Sequence, residues 1–195
     1  MKNLIVASAV TLLLGTAAAQ ADSYVSVLGG PTFAPGLNVN GSKNGMDTGF
    51  NVGVRYGYYL DDLINIPNLS VEADWLLTQS DYSNVPNARL QSSSYMADLV
   101  YHLPLDGPLH LSGFQLYGGA GLGAVNTNID NGLTNRGSST VLGWQALGGL
   151  EYQVSDQASL FTEYRYQNAH NANAGGLMQV GNTSNNLSFG VKWRF

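Results

Sequence analysis

The sequence predicts an all-β fold. It reads as an eight-stranded antiparallel up-and-down transmembrane β-barrel, preceded by a cleaved N-terminal signal peptide. Three observations carry this. The chain is 44% hydrophobic yet only 11% charged, with a mean hydropathy of -0.05. Soluble domains usually carry about 25% charged residues, and spanning helices would raise the hydropathy well above this value. The apolar residues recur with period two rather than 3.6, the spacing of strands. The chain also opens with an export leader.

Composition closes off other classes. There is no Cys, so no disulfide framework exists. Eight Lys+Arg against 13 Asp+Glu offer no basic footprint for phosphate, so no nucleic-acid partner is expected. Abundant aromatic and β-branched residues with a net charge of -5 argue against disorder.

The leader occupies residues 1–21. Met1-Lys2-Asn3 is a short positive segment, Leu4 to Gly15 is apolar, and Ala19-Gln20-Ala21 is a small-residue cleavage site. Ala19 and Ala21 are the small positions, and cleavage after Ala21 leaves a single domain, residues 22–195. The apolar run falls short of the ~20 residues a spanning helix needs.

The strands follow in order. The first, near residues 23–30, has apolar residues on both faces, so its facing stays open. In the second, Phe50, Val52, Val54, Tyr56 and Tyr58 alternate with Asn51, Gly53, Arg55, Gly57 and Tyr59. In the third, Val71, Ala73, Trp75 and Leu77 alternate with Glu72, Asp74 and Thr78, with Leu76 breaking the polar series. The fourth sets Tyr95, Ala97, Leu99 and Tyr101 against Met96, Asp98, Val100 and His102. The fifth is Gly-rich, with Phe114, Leu116, Ala120, Leu122 and Ala124 on one face. The sixth sets Leu142, Trp144, Ala146, Leu150 and Tyr152 against Gln145 and Glu151. The seventh opposes Leu160, Thr162, Tyr164 and Tyr166 to Glu163, Arg165 and Gln167. The last is the clearest: Leu187, Phe189, Val191, Trp193 and Phe195 against Ser188, Gly190, Lys192 and Arg194.

Four long polar connectors (31–47, 80–91, 126–138, 168–183) alternate with three shorter joints (61–68, 104–112, 155–157). Their Asn, Gly, Ser and Asp content is that of loops. Four long connectors on one side and three short ones on the other describe a meander. Alternation does not say which face points out. The small uncharged residues of the polar face suit a crowded lumen better than a soluble surface rich in Lys and Glu. Aromatics gather at strand ends, as interfacial girdles do. A closed barrel also leaves no unpaired backbone in lipid. The apolar face is therefore read as lipid-facing.

At this point the chain resembles the OmpA-like and opacity-type small outer-membrane barrels. The resemblance rests on Gly143 through Tyr152, on Leu160 with Glu163-Tyr164-Arg165-Tyr166, and on Tyr117 through Gly123. It also rests on the terminal strand Leu187, Phe189, Val191, Trp193 and Phe195, which looks like the family's C-terminal assembly signal. The resemblance implies a bacterial outer-membrane protein with both termini in the periplasm, surrounded by lipid and inserted by the outer-membrane assembly machinery. It specifies fold far better than activity.

Arg55, Glu72, Asp74, Asp98, Glu151, Glu163, Arg165, Lys192 and Arg194 all fall on the polar face. Buried charges must pair. Counting outward from the joint near Ile64 and Asn65 sets Arg55 opposite Asp74, with Asp98 close by, and Lys192 and Arg194 balancing acids toward the terminal end. The cluster is either a narrow ion path or a satisfied polar core. Eight strands leave room for little but side chains, which favours the core.

No catalytic, cofactor-binding or metal site is expected. An outer-membrane lipid A deacylase would show a His-x-Ser-Asn pattern before the last strand, by resemblance to that family. Here the corresponding residues are His170-Asn171-Ala172-Asn173, so the nucleophile is missing. His102, His110 and His170 lack zinc spacing. Apolar residues in the long connectors (Phe33, Leu37, Val39, Met46; Tyr82, Val85, Leu90; Leu177, Met178, Val180) either contact a surface partner or pack on each other. The expected whole is a monomeric barrel with a structural or surface-interaction role.

Overall fold

A computed structural model describes residues 23–33, 37–39, 42–44, 48–81, 89–106, 111–130, 136–174 and 178–195. The leader 1–21 and Met46, Tyr82, Val85, His110 and Leu177 lie outside the described residues. The strands are β1 (Ser23–Phe33), β2 (Leu37–Val39), β3 (Ser42–Asn44), β4 (Gly49–Tyr59), β5 (Leu69–Asp81), β6 (Arg89–Pro104), β7 (Phe114–Asp130), β8 (Arg136–Gln153), β9 (Ala158–Ala174) and β10 (Met178–Arg194). One helical turn, α1 (Asp61–Ile64), joins β4 to β5.

Eight strands close in the order β1-β10-β9-β8-β7-β6-β5-β4, every pair antiparallel, while β2 and β3 form a separate two-stranded hairpin. Closure comes where β1 pairs with β10, and Phe195 N donates to Ser23 O at 3.0 Å. This is the expected meander with its two ends brought together, so no barrel edge is left open.

The outer face is apolar. Val27, Val71, Leu99, Leu122, Leu142, Leu160 and Phe189 are all exposed. Tyr101, Tyr152 and Trp193 lie outward toward the terminal end, and Tyr95, Phe50 and Trp144 toward the opposite one. The inner face holds Arg55, Glu72, Asp74, Asp98, Glu151, Glu163, Arg165 and Lys192 and the buried Ser, Thr, Asn and Gln.

The structure resolves the facing of β1. Tyr24, Ser26, Leu28 and Thr32 point inward, while Val27 and Phe33 are exposed. The reason is steric. Tyr24 pairs with Gly57 on β4, where a side chain would run into the Tyr24 ring. The glycine makes room for one of the largest side chains in the lumen. Gly121 does the same for the Asp98 carboxylate.

Two expectations need correction. The long connectors are largely strand. β7, β8, β9 and β10 run for 17 or 18 residues, where about ten suffice to span. Loop-like composition is tolerated because antiparallel pairing satisfies the backbone, and the side chains bond sideways. Asn126 Nδ2 donates to Thr140 Oγ1 at 2.8 Å, and Asn168 Nδ2 to Thr183 Oγ1 at 3.2 Å. Phe33 is accordingly an exposed strand residue, and Leu37, Val39, Leu90, Met178 and Val180 lie on strands too. The lumen is also less uniformly polar than the alternation suggests. Leu28, Leu76, Val100, Tyr117, Leu147 and Phe161 form one buried apolar cluster, and Met96, Val125 and Ala169 a second. The narrow bore of an eight-stranded barrel is lined by apolar groups as well as by polar ones.

Candidate functional site

The site with the densest chemistry is the lumen. Strand alternation delivers side chains from all eight barrel strands to one axis, and register sets their height. Register pairs Arg55 with Asp74, and Arg55 Nε lies 3.2 Å from Asp74 Oδ2. Arg55 also reaches Glu163 on β9, Nη2 donating to both carboxylate oxygens at 2.9 and 2.8 Å. Arg165 grips Asp74 side-on, Nη1 to Oδ1 at 2.8 Å and Nη2 to Oδ2 at 2.9 Å. Arg165 Nη2 also donates to Glu163 Oε1 at 2.7 Å. Glu72 Oε2 stands 3.1 Å from Arg55 Nε without hydrogen-bond geometry. Bidentate Arg–carboxylate pairs are among the stronger ionic contacts. Here they are almost wholly buried, at 1–4% exposure for Arg55, Glu72, Asp74, Glu163 and Arg165.

The other charges have separate partners. Asp98 sits opposite Glu72 in the register and accepts two bonds from Gln145 Nε2, at 2.7 and 2.8 Å. Gln145 Oε1 in turn accepts from Gln167. Lys192 pairs with Glu151 across β9, and its ammonium lies 4.4 Å from the Tyr24 ring centroid. Arg194 is half-buried at the terminal end, where its guanidinium donates to Tyr59 Oη at 3.2 Å and lies 5.2 Å from that ring. At a mouth open to water, aromatic contact suffices to hold a cation.

Two tyrosines of the lumen, Tyr24 and Tyr117, are not marked by the sequence, whereas Tyr59 and His102 fall on the polar faces of their strands. Tyr24 donates to Glu72 and contacts Ser70, and Tyr117 donates to Glu163 at 3.2 Å. Tyr24, Tyr59, His102 and Tyr117 make a chain of ring contacts with centroids 5.1 to 6.3 Å apart. Tyr117 could have been found by parity, since it lies on the face opposite Leu116. Tyr24 had no such signal, because β1 is apolar on both faces.

The remaining candidates are dispersed. His102 is buried among tyrosines, with Nε2 3.0 Å from Ser70 Oγ. His170, Asn171, Ala172 and Asn173 lie on β9 rather than in a loop. Among the described residues no group of His, Cys, Asp or Glu is arranged to hold a metal. Asp61, in the joint after β4, accepts from Asn68 N at 2.8 Å and so shapes the turn. The terminal strand presents Phe189, Val191 and Trp193 outward, with Leu187 and Phe195 half-buried.

Three solved barrels share this architecture. Neisserial surface protein A (NspA) aligns at a TM-score of 0.67 and 24% identity, over 89% of this chain and 97% of that one. OprG from Pseudomonas aeruginosa aligns at 0.53 and 16% identity, over 90% and 98%. Ail, the attachment invasion locus protein of Yersinia pestis, aligns at 0.52 and 16%, over 90% and 100%. At these identities the likeness is one of fold. A search by sequence among curated proteins returns no match. The family model described as outer membrane protein beta-barrel domain matches residues 5–195. An apolar-out closed barrel with buried ion pairs on its inner face thus meets a family match along nearly its whole length, and the chain belongs to the outer membrane protein beta-barrel domain family of the bacterial outer membrane.

Proposed function

We propose that this barrel is a closed scaffold that displays its long hairpins at the cell surface for recognition, and that it neither conducts solutes nor catalyses a reaction. One observation carries the reading. Arg165 on β9 and Asp74 on β5 stand four strands apart in a ring of eight, so their bidentate pair bridges the full diameter of the bore. Ions that pair so tightly with each other leave no path for a third. Loops and strand extensions on a rigid barrel are then the part free to vary and to bind.

The reading includes four further proposals. The leader is cleaved after Ala21. Both termini lie in the periplasm. The assembly machinery reads Leu187, Phe189, Val191, Trp193 and Phe195. The barrel works as a monomer. The similar barrels named a surface protein and an attachment invasion locus protein accord with a surface role for this one. On the catalytic side, Ala172 stands where a lipid A deacylase has its serine, so acyl transfer lacks a nucleophile.

Two experiments test the reading. Planar-bilayer recording on the purified barrel is expected to show no steady conductance, and a stable single-channel level abolished by substituting Arg55 would overturn the closed lumen. Exchange of the four hairpin tips for short Gly-Ser turns is expected to leave folding intact and abolish cell attachment. Unchanged attachment would sink the recognition role.

A further inference from the structure

At the end of the barrel where β10 finishes, the strand ends enclose a cavity of about 300 Å³. Arg194 lines it, reaching over β1 to Tyr59 on β4. A guanidinium carries five N–H donors, and the Tyr59 oxygen takes one. Among the described residues Arg194 has no carboxylate partner, unlike Arg55 and Arg165. Asp61 and Asp106 reach the same cavity from the joints that follow β4 and β6. Asp61 Oδ1 accepts from Asn68 N at 2.8 Å, and Asp106 Oδ1 from Gly113 N at 3.1 Å. These bonds fix both carboxylates and leave each with a second oxygen unpartnered among the described residues. The rest of the wall holds neutral polar groups. Ser159 is 7% exposed, yet its hydroxyl has no hydrogen-bond partner among the described residues. The side-chain amides of Gln115 and Gln153 are unpaired in the same sense. Buried polar groups ordinarily have partners, so this end of the lumen suits a polar guest.

We propose that this cavity binds a short peptide with free termini. The chemistry selects the ligand. A guanidinium with free N–H groups recognises a carboxylate, and does so side-on where geometry allows. Asp61 and Asp106 oppose an anion that lacks an ammonium, and Arg194 opposes a bare cation. A ligand carrying both charges satisfies both at once. The peptide groups between its termini donate and accept, and Gln115, Gln153 and Ser159 do the same. Glu151, on the same wall, is already held by Lys192, so the ammonium falls to the two joint acids. Ligand sites run from about 300 to 1,000 Å³, and a cavity at the small end of that range limits the peptide to about two or three small residues. The site lies opposite the long hairpins and requires no passage through the bore.

The test titrates the purified barrel in phosphatidylcholine nanodiscs with L-alanyl-L-alanine and follows backbone amide shifts by NMR. Shifts are expected at Gln115, Gln153, Ser159 and Arg194, saturating in the millimolar range. On the unaltered barrel, N-acetylation or C-terminal amidation of the dipeptide should each weaken binding about tenfold, the loss of one charge-assisted contact. Arg194→Gln should weaken the free dipeptide by the same factor and leave the amidated one unchanged. Asp61→Asn with Asp106→Asn keeps the oxygens that accept from Asn68 and Gly113. That pair should weaken the free dipeptide and leave the acetylated one unchanged. If a variant does not fold, the blocked dipeptides decide the matter on the unaltered chain. No shift at about 10 mM dipeptide, or equal binding of the free and blocked forms, would overturn the proposal. A loss on blocking one end alone would overturn it too, since the site would then read a single charge. None of these outcomes bears on conductance or attachment, so the closed scaffold stands or falls separately.

Discussion

Arg165 and Asp74 lie 91 residues apart in the chain and on opposite walls of the barrel, yet their side chains meet in a bidentate pair at 2.8 and 2.9 Å. The pair acts as a strut across the bore. Its energy is set by burial as much as by charge, because both groups have left water and neither has another complete set of partners.

Removing one end of the strut should therefore cost more than removing both. Arg165→Ala is expected to destabilise the barrel by about 3–5 kcal/mol, since it leaves Asp74 and Glu163 buried with a deficit of donors. Arg165→Met combined with Asp74→Leu should recover most of that loss. Urea unfolding in lipid vesicles measures both. A double variant as unstable as the single one would show that packing, rather than the unpaired charge, dominates.

A second prediction concerns the space that glycine leaves. Gly57→Ala places a methyl group against the Tyr24 ring and should cost about 1–3 kcal/mol through overpacking. In a Tyr24→Ala background the same change should be close to neutral. A full double-mutant cycle in folding yield or stability reads the coupling. Additive effects would mean that the two side chains do not compete for the same volume.

The third prediction locates the edge of the lipid band. Leu99 is 52% exposed and lies between Tyr95 and Tyr101 on β6, well inside the apolar belt. Leu99→Arg is expected to cost about 2–4 kcal/mol in a bilayer, the penalty of a cation near the midplane. Asn128→Arg, above the belt, should cost less than about 1 kcal/mol. Equal costs at the two sites would displace the membrane boundary drawn here.

A fourth prediction addresses chemistry. Incubation of the barrel with lipid A is expected to leave the acyl chains intact, as read by mass spectrometry, and Ala172→Ser alone should not create activity. Acyl release by the unaltered chain would require a nucleophile other than position 172.

Much of this architecture is legible along the chain because strand period is a local property. Lys192 and Val191 face opposite ways for the same reason that any two adjacent strand residues do. Low charge and alternating faces then leave few folds, and the joint near Ile64 sets Arg55 beside Asp74 by counting alone. What counting does not reach is contact across the bore. The meeting of Arg165 with Asp74 depends on closure and diameter, which belong to the whole ring, and Asp98 with Gln145 and Lys192 with Glu151 meet over one intervening strand at a height set by stagger and curvature. Strand extent was hidden for a different reason. Asn and Gly are poor predictors of strands, but between two paired neighbours an Asn bonds sideways and extends the ladder, as Asn126 does with Thr140.

The sequence by itself determined a barrel of eight alternating strands, its apolar outer side and the charged residues that face inward, because each follows from the two-residue period and the cost of charge in lipid. Only the tertiary structure decided which of those residues touch. It turned Tyr24 inward over Gly57, gave Arg194 an aromatic partner, and joined Asp74 to Arg165 across the bore. The physical reason is that Arg194 meets Tyr59, and Asp74 meets Arg165, between strands brought together only when the sheet closes, while the turn of Tyr24 is a fit into the space Gly57 leaves, and no local pattern records either.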